Sequence, residues 1–203
     1  MKKIAVPLVL IAFIMMAFFP AANELSQKDR DNAVVYFKET KKFLRKEIAG
    51  LSEAQLNWKP ADSVWSIANC VEHIAVTETG IFEWAMGTLQ APADEKIDVS
   101  KKVADETVKI KVADRSVKAK APEVFVPSGR FGNTAQAYSA FEKKRDSLIQ
   151  YIRTTKDDLR GHYTMLPLGV GDTYQILLLL SGHTKRHTLQ IVELKAMPGF
   201  PAR

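Results

Sequence analysis

Residues 173–197 read TYQILLLLSGHTKRHTLQIVELKAM, and this stretch decides the fold. Ile176, Leu180, His183, His187, Ile191 and Leu194 recur at steps of three and four, which is one face of an α-helix. Asp172 or Thr173 is a plausible cap, and Pro198-Gly199 ends the run. The two histidines stand on the apolar stripe, so the pattern predicts them in a core rather than in solvent. Buried imidazoles need partners. At i and i+4 they lie about one turn apart, where both can bind one divalent ion.

Three more helical stretches surround this one. Val34, Phe37, Lys41, Leu44, Ile48 and Leu51 follow helical spacing, with only Lys41 breaking the apolar stripe. A second helix starts at Ser63 or Ser66 and runs to about Leu89, with Ile67, Cys70, Val71, Ile74, Ile81 and Ala85 facing inward. A third runs from near Thr134 to about Leu159 and buries Tyr138, Phe141, Leu148, Ile149 and Ile152. Between helices two and three lies Ala91 to Asn133, too long for an ordinary loop, with a short helix expected within Val99–Asp114. A crossover accounts for it if helices two and three run parallel, because the chain must then return the length of the bundle. No run of strands stands out. The expected class is all-α, a four-helix bundle with one long crossover.

The chain has 203 residues with 46% hydrophobic and 26% charged, which fits one globular domain with a sizeable core. A single cysteine, Cys70, excludes a disulfide framework and any zinc site needing two thiolates from this chain. The net charge of +6 is spread among acids, without an arginine-rich, aromatic-interleaved stripe, so nucleic acid is not an expected partner. Met1-Lys2-Lys3, the uncharged run Ile4–Phe19 and Pro20-Ala21-Ala22 have the layout of a secretory signal. Residues 1–22 are therefore read as a signal peptide, or as an anchor if cleavage fails, and 23–203 as the working domain. Without Lys2 and Lys3 the balance is 27 basic against 23 acidic residues, or +4. The expected location is periplasmic or extracellular, with a membrane-tethered form as the alternative.

Four histidines scattered at random would give some pair at a spacing of four on the order of one time in ten. Spacing alone therefore leaves a metal site and an unliganded hydrogen-bonded pair open. His73 shifts that balance. It shares an azimuth with Thr77, Gly80 and Trp84 beside the apolar stripe of helix two, and Gly80 leaves room there. A bundle can bring His73 against His183 and His187. Three neutral imidazoles would then hold an ion and leave positions open, the catalytic arrangement rather than the closed structural one. Zinc and nickel both accept imidazole, so the ligands do not fix the ion. His162 is expected in a loop, either as surface or as a fourth ligand or proton shuttle. Cys70 reads as a small buried hydrophobe. Glu72 and Glu78 point off the His73 azimuth, so no general base stands out. Asn69, Thr77 and Gln190 are candidates to hold the imidazoles. Trp58 and Trp65 read as packing, and Trp84 as a neighbour of His73.

Trp65-Ser-Ile-Ala-Asn-Cys-Val-Glu-His-Ile74, followed by Ser181-Gly-His-Thr-Lys-Arg-His-Thr-Leu-Gln190, resembles the DinB-like superfamily. The segments at Asp114-Arg115, Ala121-Pro122-Glu123, Pro127 and Phe141/Arg145 are similar to exported members, and the resemblance covers about Glu24 to Lys195. It implies an up-down-down-up bundle and a divalent metal at His73, His183 and His187. Characterised groups of this kind include thiol-dependent S-transferases and metal-dependent hydrolases. Export removes the chain from cytoplasmic thiols, so a hydrolase with metal-bound water as nucleophile is the favoured expectation. A thiol S-transferase, or a non-catalytic stress module binding metal or a small ligand, is the alternative. A small molecule is the expected partner, a membrane enters only if the leader is retained, and a homodimer is compatible with the sequence.

Overall fold

A computed structural model of the chain describes residues 24–202. The expected leader, residues 1–22, lies outside the described residues. The bundle consists of α1 (Gln27–Ile48), α3 (Ile67–Gln90), α5 (Thr134–Thr154) and α6 (Thr173–Lys195). A short α2 (Glu53–Asn57) follows α1, and α4 (Asp105–Ala113) lies within the crossover. The helix starts follow side-chain chemistry. Ser26 caps α1, and Ser66 with Asn69 and Asp172 with Gln175 form reciprocal capping boxes on α3 and α6.

Cross-helix hydrogen bonds fix the helix directions. Arg30 reaches Ile152 and Arg145 reaches Phe37, so α1 and α5 are antiparallel. Tyr174 bonds Asp29 and Lys195 bonds Glu47, so α6 runs with α1. His73 packs against His187 and Thr77 meets His183, so α3 and α6 are antiparallel. The order is up-down-down-up. Parallel α3 and α5 require the chain to travel back along a 24-residue helix, about 36 Å at 1.5 Å per residue.

Within the crossover, α4 packs on α6 beside Gly182, where a Cβ would stand 3.2 Å from Val112 and 3.3 Å from the Tyr36 hydroxyl. The helix expected within 99–114 is real but starts at Asp105, after a single 3₁₀ turn at Val99–Lys101.

One boundary and one element differ from the sequence reading. α5 ends at Thr154, not near Leu159. The Thr155 hydroxyl bonds the Asp157 carboxylate at 2.7 Å and accepts from its backbone N–H, a local turn that competes with the helix. Leu159 is still fully buried, held by its backbone rather than by a helix. Between α5 and α6 stands a hairpin the sequence did not announce, β1 (Tyr163–Leu166) antiparallel to β2 (Gly169–Asp172). Four-residue strands are too short to show alternation, and Gly169 (φ +120°) and Gly171 read as loop.

The core divides in two. One apolar cluster holds Phe37, Ile81, Leu148 and Leu180. The other holds Leu44, Ile74, Phe141 and Ile191. On every bundle helix a polar residue falls between them: Thr40, Glu78, Arg145 and Thr184. Arg145 is fully buried. Its guanidinium donates to both Glu78 carboxylate oxygens (2.6 and 2.8 Å), the Thr40 and Thr184 hydroxyls (2.7 Å each) and the Phe37 carbonyl (3.2 Å). All five of its N–H groups are thus used, and the rings of Phe37 and Phe141 stand against it at 4.6 and 5.0 Å. One side chain ties four helices together at one level.

Candidate metal centre

The histidine triad lies on the edge between α3 and α6, next to this polar layer. His73 and His187 are buried, and His183 keeps a partly exposed edge. The Nε2 atom of His183 stands 3.3 Å from Nε2 of His73 and 3.2 Å from Nε2 of His187. One nitrogen from each of the three rings falls within 4.8 Å of the others.

The partners of the other ring nitrogens settle the tautomers. His73 Nδ1 lies 2.7 Å from the Phe125 carbonyl oxygen, which can only accept, so that nitrogen carries the proton. His187 Nδ1 donates to Gln190 Oε1 at 2.9 Å, and Arg115 donates to the same oxygen at 3.4 Å, which confirms its assignment as oxygen. The Thr77 hydroxyl already donates to the His73 carbonyl at 2.8 Å, so it accepts from His183 Nδ1 at 3.3 Å. All three neutral rings therefore turn an unprotonated Nε2 toward one point. Burial lowers the proton affinity of all three, His187 to about 3, which keeps them in that neutral form.

Three lone pairs facing one another without a donor are costly in a buried site. A divalent ion removes that cost, and the spacing suits it. Two nitrogens bound 2.0–2.1 Å from a tetrahedral ion stand about 3.3 Å apart. Each outer N–H is held by an oxygen, the arrangement that orients histidine ligands. The residues present fit an ion held by three imidazoles.

Distant segments set this geometry. Trp65 precedes the Ser66 cap of α3, and its ring lies 4.8 Å from His73 and 6.0 Å from His187. Glu72 accepts the backbone N–H groups of Ser128, Gly129 and Arg130 at 2.9–3.1 Å. That clamp fixes the end of the crossover, and with it Phe125. The Phe125 ring covers Gly80, where a Cβ would stand 2.5 Å from it. The room expected above Gly80 is therefore filled by the crossover. Gly80→Val is expected to push Phe125 aside and weaken zinc binding about tenfold or more, since its carbonyl orients His73. Competition with a chromogenic chelator measures this, and unchanged affinity refutes the coupling.

Several sequence candidates lie elsewhere. His162 borders a small cavity with Thr88, Ala91 and Tyr163. Thr88 is 15 residues beyond His73 on α3, about 22 Å along its axis, so His162 is neither a fourth ligand nor a shuttle for the triad. Trp84, three turns from His73, packs on the first apolar cluster. Asn69 belongs to the α3 capping box, whereas Thr77 and Gln190 do hold imidazoles. Cys70 is buried and its thiol is pushed up to about 12 by burial. Trp65 and Phe125 were not legible as site residues. Trp65 read as packing although it opens the segment that carries the family resemblance, and Phe125 lies 52 residues from the ring it holds.

Fold and site together define a class: an up-down-down-up four-helix bundle with a histidine triad suited to a metal ion between antiparallel helices. The chain belongs to the DinB superfamily, whose family model matches residues 36–191. It is similar in structure to YfiT from Bacillus subtilis, described as "a probable metal-dependent hydrolase with an unusual four-helix bundle topology". That similarity has a TM-score of 0.55 at 15% identity, over 85% of this chain and 89% of the other. At that identity it establishes the fold alone. No curated protein matches the chain.

Proposed function

We propose that this protein is an exported hydrolase dependent on a divalent transition metal, zinc or nickel, held by His73, His183 and His187. The observation that carries the reading is the convergence of three deprotonated Nε2 atoms. A bound ion would supply Lewis acidity and an activated water there. The chain's own residues hold the imidazoles neutral through Phe125, Thr77 and Gln190, and the partly exposed edge of His183 leaves a side for a small-molecule substrate. Cys70 is buried and protonated, so a thiol nucleophile would have to arrive as a substrate, as the S-transferase alternative requires.

One observation favours a second reading, a non-catalytic module binding metal or a small ligand. Both carboxylates on α3 near the triad are already engaged, Glu72 by the crossover backbone and Glu78 by Arg145. Neither is free to serve as a general base.

Zinc- and nickel-loaded protein assayed on esters, amides and thiol conjugates separates these readings. The hydrolase reading expects ester or amide turnover at least about a hundredfold above a His183→Ala/His187→Ala variant. Turnover on thiol conjugates only assigns the transferase, and none on any substrate leaves the binding module. N-terminal sequencing that finds Met1 on soluble protein from the native host overturns the export part.

A further inference from the structure

The residue that broke the apolar stripe of α1, Lys41, lies on the bundle edge opposite the metal centre. It borders a cavity of about 450 Å³ between α1 and α5, lined by Lys38, Lys41, Lys42, Arg45, Asp146, Ile149, Gln150 and Arg153. That volume is on the scale of small-ligand sites. Five cations face one carboxylate. Lys41 is held by Asp146 at 2.8 Å and Glu142 at 3.3 Å and forms a fixed side of the groove. Lys38, Lys42, Arg45 and Arg153 are exposed, and among the described residues none of them has an ion-pair or hydrogen-bond partner for its side chain.

This concentration works against the helix itself. Lys38 and Lys42, and Lys41 and Arg45, are like charges at i and i+4 on one helix, a spacing that destabilises it. Arg153 brings a further cation from α5 to the same groove, with Ile149 as apolar floor. An anion in the groove would turn that repulsion into attraction. Guanidinium groups grip oxyanions through two N–H donors, and ammonium groups act as mobile point charges beside them. Four unpaired cations spread over two helices match a ligand with more than one negative charge.

We propose that the α1/α5 groove binds a phosphate-bearing anion, either free or as the headgroup of an anionic lipid. The metal centre, between α3 and α6, takes no part in it.

The test compares the zinc-loaded protein with Lys38→Gln/Lys42→Gln/Arg45→Gln/Arg153→Gln, and with a control losing the same charge from exposed positions elsewhere, Lys59→Gln/Lys96→Gln/Lys118→Gln/Lys120→Gln. Pyrophosphate binding is measured by calorimetry, and binding to phosphatidylglycerol vesicles by co-sedimentation. Zinc retention reports that each variant is folded, and because all three keep the triad, chelation of zinc by pyrophosphate affects them equally. The groove variant is expected to bind pyrophosphate about tenfold or more weakly, and the control within about twofold of wild type. Vesicle binding lost in the groove variant alone, without pyrophosphate binding, assigns the lipid headgroup as the source. No binding of either probe, or equal weakening in both variants, overturns the proposal.

Discussion

Replacing His183 and His187 together by alanine is expected to abolish metal retention and, with it, the stabilisation that metal gives. The wild-type protein is expected to bind one zinc ion per chain. At a free concentration a thousandfold above the dissociation constant, that binding adds about 4 kcal/mol to folding stability. The doubly substituted protein keeps only His73 and loses this increment, while its metal-free stability changes far less. Elemental analysis and thermal unfolding with and without zinc, on protein without a histidine tag, check both parts. Equal metal content in the two proteins refutes the site. The metal-free wild type carries a second signature. Its unfolded chain takes up protons on these imidazoles below about pH 6.5, whereas the folded His187 resists protonation down to about pH 3. Stability therefore falls as pH drops below 6.5, by up to about 1.4 kcal/mol per pH unit from His187 alone. While the folded imidazoles stay neutral, bound zinc raises this profile by a constant amount, and its increment shrinks only where the metal-free folded site itself takes up protons. A zinc increment that already fades just below about pH 6.5 would mean protonated imidazoles in the metal-free fold and would contradict the neutral, converging triad.

The largest effect away from the site is expected at the buried ion pair. Glu78→Gln leaves the Arg145 guanidinium in the core without its counter-charge. Breaking a buried pair on one side costs about 3–5 kcal/mol, which for a chain of this size lowers the melting temperature by on the order of 10 °C. The cost comes from stranding a charge, so removing both charges should relieve most of it. Glu78→Leu with Arg145→Met is expected to recover to within about 2 kcal/mol of wild type, because an apolar pair of similar volume often replaces a buried ion pair without loss. The hydroxyls left behind keep other partners: Thr40 bonds Phe37 and Ser181, and Thr184 bonds Leu180. Denaturant unfolding of the two variants gives the answer. A double variant no more stable than Glu78→Gln would mean that the layer stabilises through its specific bonds rather than through charge neutrality.

The layer also shows why some residues could be read from sequence and others could not. The helical stripes follow from local periodicity. Phe37, Ile74, Phe141 and Ile176 are all fully buried, as their spacing requires. Arg145 and Glu78 break that rule. They are buried because each neutralises the other across 67 residues of chain, and no window along the sequence contains both. Phe125 behaves in the same way, its ring over Gly80 and its carbonyl on His73. The sequence shows the missing side chain at Gly80, but the space it leaves is not open. What fills that space is set by the path of the crossover.

Sequence by itself determined the four long helices, narrowed two of their caps to Ser63 or Ser66 and to Asp172 or Thr173, and marked the crossover between the second and third and the three histidines that meet. These follow from interactions within a few residues, where helical geometry fixes which side chains share a face. Tertiary structure alone decided that the Nδ1 protons point outward and the Nε2 lone pairs inward. It also moved His162 and Trp84 away from the site and brought Trp65 and Phe125 into it. Those outcomes depend on pairings between residues far apart in the chain, and only the packed bundle, with its crossover clamped by Glu72, brings such residues within hydrogen-bonding reach.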